Sequence, residues 1–325
     1  MDMLVPVLLF LVGFVALIKG GDWFVDGAVG IAHRFHLPEL LIGATVVSIG
    51  TTLPEVMVSS QAALEGNSGI SYGNAIGSII CNASLIAAIT MAVKPGKVNW
   101  KSFLIPSIFF GAAALIYTII AYVSGSFTRW EGILFLGIFV IYMVYSTIHM
   151  KKHPEDSEEE GEEEEIKERP FWQELLLLVV GAAVIAVGAR LLVDNGTLIA
   201  QALGVPDSVI GLTMVALGTS LPELVTAITS LVKGHGALSL GNVIGANLFN
   251  IVLVSGMAIT INPFTVPAEK LLMGHNASLV VDMPVLWVVS ILLCLPSMIN
   301  GEVKRWQGIT LLVIYTAFTV FQFVG

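Results

Sequence analysis

Charged residues are scarce in this chain of 325 residues, since Asp, Glu, Lys and Arg together make up only 12% of it. A typical soluble domain carries about 25% charged residues. Hydrophobic residues reach 56%, and the mean hydropathy is +0.88. This balance excludes an ordinary soluble domain and predicts a polytopic membrane protein embedded in a lipid bilayer.

Cysteine and histidine form no recognisable site. The two cysteines, Cys81 and Cys294, both fall in apolar segments, which excludes a disulfide framework and a cysteine zinc site. The six histidines show no ligand spacing, and no His-Glu-x-x-His, Ser-Lys or paired-aspartate motif occurs. Neither an enzyme nor a resident cofactor is therefore expected.

Long apolar segments are abundant, and a helix of about 20 such residues crosses a bilayer. The opening Met-Asp-Met lacks basic residues and leads into a long apolar run, so a cleavable signal peptide is not expected. Ten candidate spans lie near 3–33, 38–64, 70–93, 102–123, 130–150, 171–203, 207–232, 239–261, 278–298 and 306–324.

Two stretches of the sequence, 168 positions apart, are nearly the same. Residues 43–55 read GATVVSIGTTLPE and residues 211–223 read GLTMVALGTSLPE, with eight of 13 positions identical. A second pair, 73–82 and 241–250, follows at the same offset. Each half therefore holds five spans, and an odd number makes the second half enter the membrane from the opposite side. We predict an all-α membrane protein of ten transmembrane helices in two inverted five-helix repeats.

The net charge of −9 is concentrated between the two halves. Residues 151–170 hold ten acidic and four basic residues and so supply −6 of it. Such a segment predicts a solvated connector. The expected organisation is a first repeat at 1–150, an acidic loop at 151–170 and a second repeat at 171–325.

Basic residues predict the orientation, because cytoplasmic loops carry an excess of Lys and Arg. With the N-terminus outside, only Arg129 and Lys270 lie in outward loops. The cytoplasmic loops then hold Arg34, Lys94, Lys97, Lys101, Lys151, Lys152, Lys167, Arg169, Lys233, Lys304 and Arg305. We predict a multi-pass protein of the cell (inner) membrane, with both termini outside and the acidic loop in the cytoplasm.

Two further basic residues, Lys19 and Arg190, fall inside the two longest spans. Asp22, Asp26 and Asp194 lie close to them in the sequence. Snorkelling or local pairing is the expected explanation for these charges.

Each long repeat ends in a glutamate at membrane depth, Glu55 in span two and Glu223 in span seven. A carboxylate in hydrocarbon costs about 3 kcal/mol or more unless it lines a pathway or meets a cation. Pro54 removes a backbone donor and clashes with the Gly50 carbonyl, so span two is expected to break or kink and to expose carbonyls near residues 47–50. The neighbouring hydroxyl groups belong to Thr51, Thr52, Thr219 and Ser220.

Spans three and eight add neutral oxygens, from Asn74, Ser78, Asn82, Asn242, Asn247 and Asn250. Carboxylates, carbonyls, hydroxyls and amides are the ligands that hard cations such as Ca²⁺ prefer. Two carboxylates would balance one Ca²⁺, and without it they would repel each other, so that Na⁺ or H⁺ could compete for the same pocket. Helices 2, 3, 7 and 8 are therefore expected to be broken around a central ion site.

At these residues the chain resembles the calcium/cation antiporter superfamily, in particular its sodium–calcium exchanger branch. GTTLPE with GNAIGS, and GTSLPE with GNVIGANLFN, look like the two alpha repeats of that family. The resemblance implies ten helices in two inverted halves with ions bound at the midplane. It implies that Glu55 and Glu223 bind Ca²⁺ directly. Further ligands would come from Thr51, Thr219, Thr52, Ser220, Ser78, Asn82 and the backbone carbonyls near Ser48 and Ala216.

Two departures from the family pattern, and the absence of an acid typical of another branch, bear on the counter-ion. Ala246 stands where many members have a serine, so one sodium ligand is missing there. Asn250 replaces an aspartate found in potassium-dependent members, which argues against K⁺ co-transport. Ile76 and Ile244 do not supply the extra acid of the proton–calcium branch, so sodium is favoured over protons.

The sequence thus predicts a secondary antiporter that exchanges Ca²⁺ for Na⁺ by alternating access, with these two ions as its substrates. An H⁺/Ca²⁺ or other divalent-cation antiporter is the alternative, and a passive cation channel is the rival from another class. Stoichiometry, the preference among Ca²⁺, Mn²⁺ and Mg²⁺, and the role of the acidic loop stay open. A monomer without a nucleic-acid partner is expected.

Overall fold

The computed structural model describes residues 3–98, 100–152, 169–203, 216–268 and 271–324. The helices are α1 (Leu4–Arg34), α2 (Glu39–Leu64), α3 (Ser68–Val93), α4 (Trp100–Val123), α5 (Arg129–Lys152), α6 (Phe171–Ala202), α7 (Leu221–Val232, preceded by the single turn Ala216–Thr219), α8 (Gly236–Ile261), α9 (Ser278–Asn300) and α10 (Arg305–Val324). Most of the predicted acidic loop lies outside the described residues.

Eight helices within the described residues are long and apolar enough to cross a membrane, namely α1 to α6, α8 and α9. Span seven is described only from residue 216 onward, and its helix α7 has 12 residues. The 20-residue α10 occupies the predicted tenth span but is not among the eight. The chain is therefore a multi-pass integral membrane protein.

The helical pattern repeats at the offset of 168 residues. The α-helical part of α3 runs from Ser68 to Cys81, and that of α8 runs from Gly236 to Phe249. In both helices a π-helical stretch begins at the next residue, which is Asn82 in α3 and Asn250 in α8. Because π turns disturb the regular hydrogen-bond ladder, they occur frequently at functional sites.

The predicted breaks in spans two, three and eight are wrong, because these helices stay continuous. α2 passes through Pro54 as an α-helix, and its irregular stretch is the π-helical segment Gly43–Val47 further upstream. A π turn keeps most backbone groups bonded, which a break at membrane depth does not. Tyr142 on α5 supports this segment by donating a hydrogen bond to the Ala44 carbonyl at 2.8 Å.

The break predicted in span seven is observed. Ser220 separates the turn Ala216–Thr219 from α7. Pro222 stands in the first turn of α7, where its missing N–H leaves no hydrogen bond unmade. Glu223 follows directly, so the break fixes the position of this carboxylate.

The two longest helices, α1 and α6, cross in antiparallel directions at backbone contact. A Cβ atom at Gly13 would lie 2.8 Å from the Gly188 oxygen, and one at Gly20 would lie 3.1 Å from the Gly181 oxygen. Small residues permit such an approach between membrane helices. Since α1 and α6 are equivalent by the sequence repeat, the two halves meet here in opposite directions.

The basic residues inside these two helices pair locally, as the sequence predicts. The Nζ atom of Lys19 lies 3.8 Å from the Asp22 carboxylate, and the Nε atom of Arg190 lies 3.6 Å from the Asp194 carboxylate. All four side chains are at least one-third exposed. The pairs therefore belong to the surface of the helix pair and not to the interior.

Short antiparallel ladders connect the loops at the two ends of the molecule. They pair β1 (Gly96–Lys97) with β6 (Glu302–Val303), β2 (Ser126–Phe127) with β3 (Phe264–Thr265), and β4 (Leu271–Leu272) with β5 (His275–Asn276). The 24-residue α4 runs from β1 to β2 and so separates the first two ladders by about 36 Å.

The two ends of the molecule can be identified by the residues at which α7 and α2 finish. Lys94 donates from Nζ to the Gly234 carbonyl at 2.9 Å, which brings Lys233 to the β1–β6 ladder. Asn262 donates to the Ala63 carbonyl at 3.1 Å, which brings Glu65 to the β2–β3 ladder. The two ends are called the Lys233 end and the Glu65 end below.

An aromatic cluster of α4, β2, α5 and α8 extends from the Glu65 end toward the middle of the helices. Tyr117 and Phe127 have ring centroids 4.4 Å apart, and Phe139 and Phe249 have centroids 5.2 Å apart. Phe249 is fully buried and stands immediately before Asn250. The cluster therefore fixes α8 where its π-helical stretch begins.

Candidate cation site

The two glutamates of the repeats are fully buried. Glu55 on α2 and Glu223 on α7 are both 0% exposed. Both carboxylate oxygens of Glu55 and Oε2 of Glu223 have no hydrogen-bond partner in the described part of the chain. The two carboxyl groups lie within electrostatic range of each other. Buried carboxylates of like charge require a cation or a proton to be stable.

The hydroxyls of α2 reach the glutamate of the other half. The Thr52 hydroxyl donates to Oε1 of Glu223 at 3.5 Å. Thr51 also lies close to the same carboxyl group. Both threonines are buried and precede Glu55 on one helix, so this contact unites the two repeats in one site.

Three asparagines add oxygens without partners. Asn82, Asn247 and Asn250 are each 0% exposed, and their Oδ1 atoms accept no hydrogen bond from the described residues. The Nδ2 atom of Asn250 donates to the Ala246 carbonyl at 3.0 Å, so only the oxygen side of this amide is free. Buried polar atoms of this kind call for a missing ion or water.

The serines predicted as ligands connect α3 with the break before α7. Ser220 is 2% exposed and its hydroxyl lies 3.4 Å from that of Ser78, which is 4% exposed. Cys81 stands between Ser78 and Asn82 and lies within electrostatic range of both glutamates. The end of the α-helical part of α3 is therefore placed beside the two carboxylates.

The remaining predicted residues lie on α2 and on the turn before α7. Thr219 is partly buried at the end of the turn before Ser220. Ala216 begins that turn, and only its backbone is described. Ser48 is fully buried, and the one proton of its hydroxyl lies between two acceptors, the Gly43 carbonyl at 2.7 Å and the Asn242 carbonyl at 2.9 Å. The hydroxyl of Ser48 therefore binds the π-helical stretch of α2 and also reaches α8.

The asparagines that open the two Gly-Asn motifs have different contacts, which the sequence does not reveal. Asn242 accepts from the Thr51 hydroxyl at 3.1 Å through Oδ1. Its counterpart Asn74 donates to the Glu55 carbonyl at 3.1 Å and to the Ser59 hydroxyl at 2.9 Å. The repeated motif thus identifies both residues but not their roles.

Sequence reasoning missed two polar residues of α7. Thr226 and Ser230 are 0% exposed, and their hydroxyls have no partner in the part of the chain that the structure describes. Their spacing of three and seven residues from Glu223 puts all three on one helix face. That spacing was the available signal. They extend the polar surface from the carboxylate toward the Lys233 end.

The resulting site is rich in oxygen and poor in other ligands. The described residues contain no group of three or more His, Cys, Asp or Glu side chains that could hold a metal ion. A narrow cleft beside Thr51 and Pro54 is closed by Phe24 of α1 and Ile185 of α6. The crossing of α1 and α6 therefore covers this cleft. Two carboxylates with hydroxyl and amide oxygens suit a hard cation.

Comparison with known proteins gives matches along nearly the whole chain. The family model described as sodium/calcium exchanger protein matches residues 5–148 and 174–324. The putative antiporter CaxA of Alkalimonas amylolytica is 36% identical over 99% of both chains. The sodium/calcium exchanger MaX1 of Methanosarcina acetivorans is 34% identical over 97% of this chain and 98% of its own.

A solved structure has the same fold. The sodium-calcium exchanger NCX_Mj, soaked with 2.5 mM Na⁺ and 0.1 mM Sr²⁺, superimposes with a TM-score of 0.80. It is 36% identical, and the match covers 97% of this chain and 98% of that chain. The likeness therefore includes both halves and all the elements that build the site.

Proposed function

Since the chain belongs to the sodium/calcium exchanger family, we propose that it is a secondary antiporter that moves Ca²⁺ across the membrane in exchange for Na⁺. The observation that carries this proposal is the pair Glu55 and Glu223. They come from matching segments of the two halves, are fully buried, and retain carboxylate oxygens without a partner among the described residues.

Ca²⁺ fits this site by charge and by ligand number. Two carboxylates neutralise one divalent cation, and Ca²⁺ takes about six to eight oxygens at flexible distances. The proposed ligands beyond Glu55 and Glu223 are Thr51, Thr52, Thr219, Ser220, Ser78, Asn82, Asn247, Asn250 and the backbone carbonyls near Ser48 and Ala216. Their hydroxyl, amide and carbonyl groups are neutral, so they complete the shell without adding charge.

Na⁺ is the proposed counter-ion. The relative MaX1 and the structural neighbour NCX_Mj both carry the name of a sodium/calcium exchanger. Neutral oxygens around two carboxylates also suit a monovalent hard cation. Ile76 and Ile244 leave the Gly-Asn motifs without an added acid for protons, and Asn250 is neutral. These residues argue against H⁺ and K⁺ as the principal counter-ions.

Ten helices in two inverted halves form the proposed architecture. It is supported by the antiparallel crossing of α1 and α6 and by the π turns that recur at Asn82 and Asn250. Inverted repeats place the ion site at their interface and let the protein open to either side in turn. The crossing of α1 and α6 covers the cleft beside Thr51, so movement of these helices would open it.

The proposed orientation puts the Lys233 end in the cytoplasm. Lys94, Lys233 and Arg305 gather there through contacts with Gly234, Asp26 and the Ala92 carbonyl. At the Glu65 end, Arg129 donates to the Thr260 carbonyl. This distribution agrees with the preference of basic residues for the cytoplasmic side.

Coupled exchange follows from the cost of the empty site. Enclosing two unneutralised carboxylates in a closed apolar state has a high free-energy cost. A bound cation neutralises them and removes this cost. The protein is therefore expected to change its accessible side only when loaded. Exchange without a leak is the functional consequence.

Vesicles test the proposal directly. Purified protein is reconstituted into liposomes loaded with Na⁺, and uptake of ⁴⁵Ca²⁺ is measured after dilution into Na⁺-free medium. Uptake that requires the outward Na⁺ gradient supports the exchanger. Uptake of Ca²⁺ without any counter-ion would identify a passive channel instead.

The same assay separates the counter-ions. A K⁺ gradient or a pH gradient replaces the Na⁺ gradient at equal ionic strength. Neither is expected to drive Ca²⁺ uptake at more than a small fraction of the Na⁺-driven rate. If the pH gradient alone drove full uptake, the protein would be an H⁺/Ca²⁺ antiporter and the sodium assignment would be wrong.

A further inference from the structure

We propose that Asn242 is a positioning residue of the cation site. It accepts the proton of the Thr51 hydroxyl and thereby turns the lone pairs of that hydroxyl toward the bound cation. This inference rests on the proposed function, because it assigns Asn242 a role at the same site. It concerns the orientation of a ligand, which the ligand set alone does not determine.

The contact joins the two halves of the protein inside the site. The Thr51 hydroxyl on α2 lies 3.1 Å from Oδ1 of Asn242 on α8. Both residues are fully buried, at 1% and 0% exposure, so water does not compete for this hydrogen bond. Asn242 is also held from its backbone side, because Ser48 donates to its carbonyl at 2.9 Å.

Close packing fixes the distance between these two helices. A Cβ atom at Gly245 would lie 2.2 Å from the Ser48 hydroxyl, and one at Gly241 would lie 2.0 Å from the Leu40 carbonyl. Glycines therefore let α8 touch α2 on both sides of Asn242. The amide cannot retreat from Thr51 without displacing a helix.

A hydroxyl has one proton and two lone pairs, so its proton must point somewhere when it binds a cation. Thr51 lies near the Glu223 carboxylate as well as Asn242, and the Ser48 carbonyl is a more distant acceptor at 3.5 Å. If the proton went to Glu223, it would use a carboxylate lone pair that a cation needs. With Asn242 as the acceptor, both Glu223 and the Thr51 oxygen stay available to the cation.

The counterpart of Asn242 in the other repeat has different hydrogen-bond partners. Asn74, the counterpart of Asn242, donates to the Ser59 hydroxyl at 2.9 Å and to the Glu55 carbonyl at 3.1 Å. The positions equivalent to Ser59 and Ser48 are Ala227 and Ala216, which have no hydroxyl. The sequence therefore assigns the orienting role to Asn242 and a structural role on α2 to Asn74.

A double-mutant cycle tests the contact. Ca²⁺ affinity is measured by the rise in melting temperature of the purified protein with Ca²⁺ concentration, which stays measurable when binding is weak. Asn242→Ala is expected to weaken Ca²⁺ binding by about three- to tenfold, as is usual for loss of one buried hydrogen bond. In the Asn242→Ala background, Thr51→Val should weaken binding much less than it does in the wild type.

Thr219→Val is the matched control, since Thr219 is the counterpart of Thr51 in the other repeat. Its effect should multiply with that of Asn242→Ala, because no contact between these residues is proposed. Asn242→Asp tests the direction of the hydrogen bond, since a carboxylate can only accept. In that variant, Thr51→Val should again weaken binding as much as in the wild type.

The failures of the two proposals differ. Wild-type protein without Ca²⁺-dependent stabilisation or Na⁺-driven uptake would contradict the exchanger itself. If the wild type bound Ca²⁺ but Asn242→Ala and Thr51→Val multiplied fully, Asn242 would have no part in orienting Thr51. A third outcome is that Thr51→Val weakens Ca²⁺ binding only slightly in both the Asn242→Ala and the Asn242→Asp backgrounds. The amide would then be the donor of the hydrogen bond, and the proposal would also be overturned.

Discussion

At the scale of single residues, the site contains two buried carboxyl groups that need a cation or a proton to be stable. Glu55 and Glu223 are fully buried and lie within electrostatic range of each other. On the helices that pack against α2 and α7, Asn82, Asn247 and Asn250 have side-chain oxygens without partners among the described residues. In a low-dielectric interior an unpaired polar group is costly, so this arrangement is stable chiefly in the presence of a cation.

Neutralising either glutamate should remove Ca²⁺ transport and leave the fold intact. Glu55→Gln and Glu223→Gln are each expected to lower Ca²⁺ affinity at least about 100-fold, because losing one partner of a buried charge set costs about 3 kcal/mol or more. The measurement is ⁴⁵Ca²⁺ uptake into Na⁺-loaded liposomes. In Ca²⁺-free buffer the variants should melt no earlier than the wild type, since one of two repelling charges is gone.

Glu131→Gln is the control for these variants. Glu131 is a partly buried residue in the first turn of α5, outside the two pairs of matching segments 43–82 and 211–250. This change should leave uptake unaltered. Normal Ca²⁺ uptake by either Glu55→Gln or Glu223→Gln would remove that residue from the site.

At the scale of helices, close packing decides where the site lies. α8 contacts α2 through Gly241 and Gly245, and the π-helical stretch Gly43–Val47 lies on the α2 side of this contact. A bulge in α2 and a glycine face on α8 together bring Thr51 to Asn242. The geometry of the site thus depends on two helices that are distant in sequence.

Gly245→Ala should therefore destabilise the protein and impair transport. The added Cβ atom would lie 2.2 Å from the Ser48 hydroxyl and 2.6 Å from the Ala44 backbone, so the helices must separate. Overpacking of this kind costs about 1–3 kcal/mol. A lower melting temperature and reduced Ca²⁺ uptake are expected.

Gly137→Ala on α5 is the matched control. A Cβ atom there would meet no described atom within 4 Å, and alanine favours a helix over glycine. The melting temperature should stay level or rise slightly. If Gly245→Ala were as harmless as Gly137→Ala, the tight approach of α8 to α2 would not control the site.

The helices and their repeats are predictable from sequence, because the bilayer requires about 20 apolar residues for each span. Glu55 and Glu223 are recognisable because a carboxylate stands out in such a run. The π-helical stretch Gly43–Val47 and the Thr51–Asn242 contact are not predictable in this way. They depend on how α2 and α8 align in space, which residues 191 positions apart do not encode locally.

At the scale of the whole molecule, the two halves are not equivalent in this conformation. On α7, Val225 is partly buried, and a Cβ atom at Gly21 of α1 would lie 2.8 Å from it. Its counterpart on α2, Met57, is 71% exposed. α1 thus covers α7 near the Lys233 end, whereas the equivalent face of α2 near the Glu65 end is uncovered.

Ion pairs follow the same asymmetry. At the Lys233 end, the Nζ atom of Lys233 lies 2.6 Å from the Asp26 carboxylate and 3.5 Å from the Asp22 carboxylate on α1. The offset of 168 residues relates Lys233 to Glu65 and Asp22 to Arg190. The charges are reversed at both of these positions, so the pair equivalent to Lys233–Asp22 is attractive as well, whereas Asp26 corresponds to Asp194, which keeps its negative charge. Glu65 instead accepts from Gln61 here, and Arg190 pairs with Asp194 on its own helix.

Alternating access predicts that the pair Glu65–Arg190 forms when the Lys233 end opens. Glu65→Arg alone should slow exchange by about two- to fivefold, because an exposed ion pair contributes about 0.2–1 kcal/mol to one state. Adding Arg190→Glu should restore the rate, since the pair is then attractive with its charges exchanged.

Reversing the surface pair Glu302 and Lys304, whose charged atoms lie 2.8 Å apart, is the control and should not change the rate of exchange. Initial rates of Na⁺-driven ⁴⁵Ca²⁺ uptake measure all of these variants. If the double reversal were slower than either single change, α2 and α6 would not meet at these residues during the transport cycle.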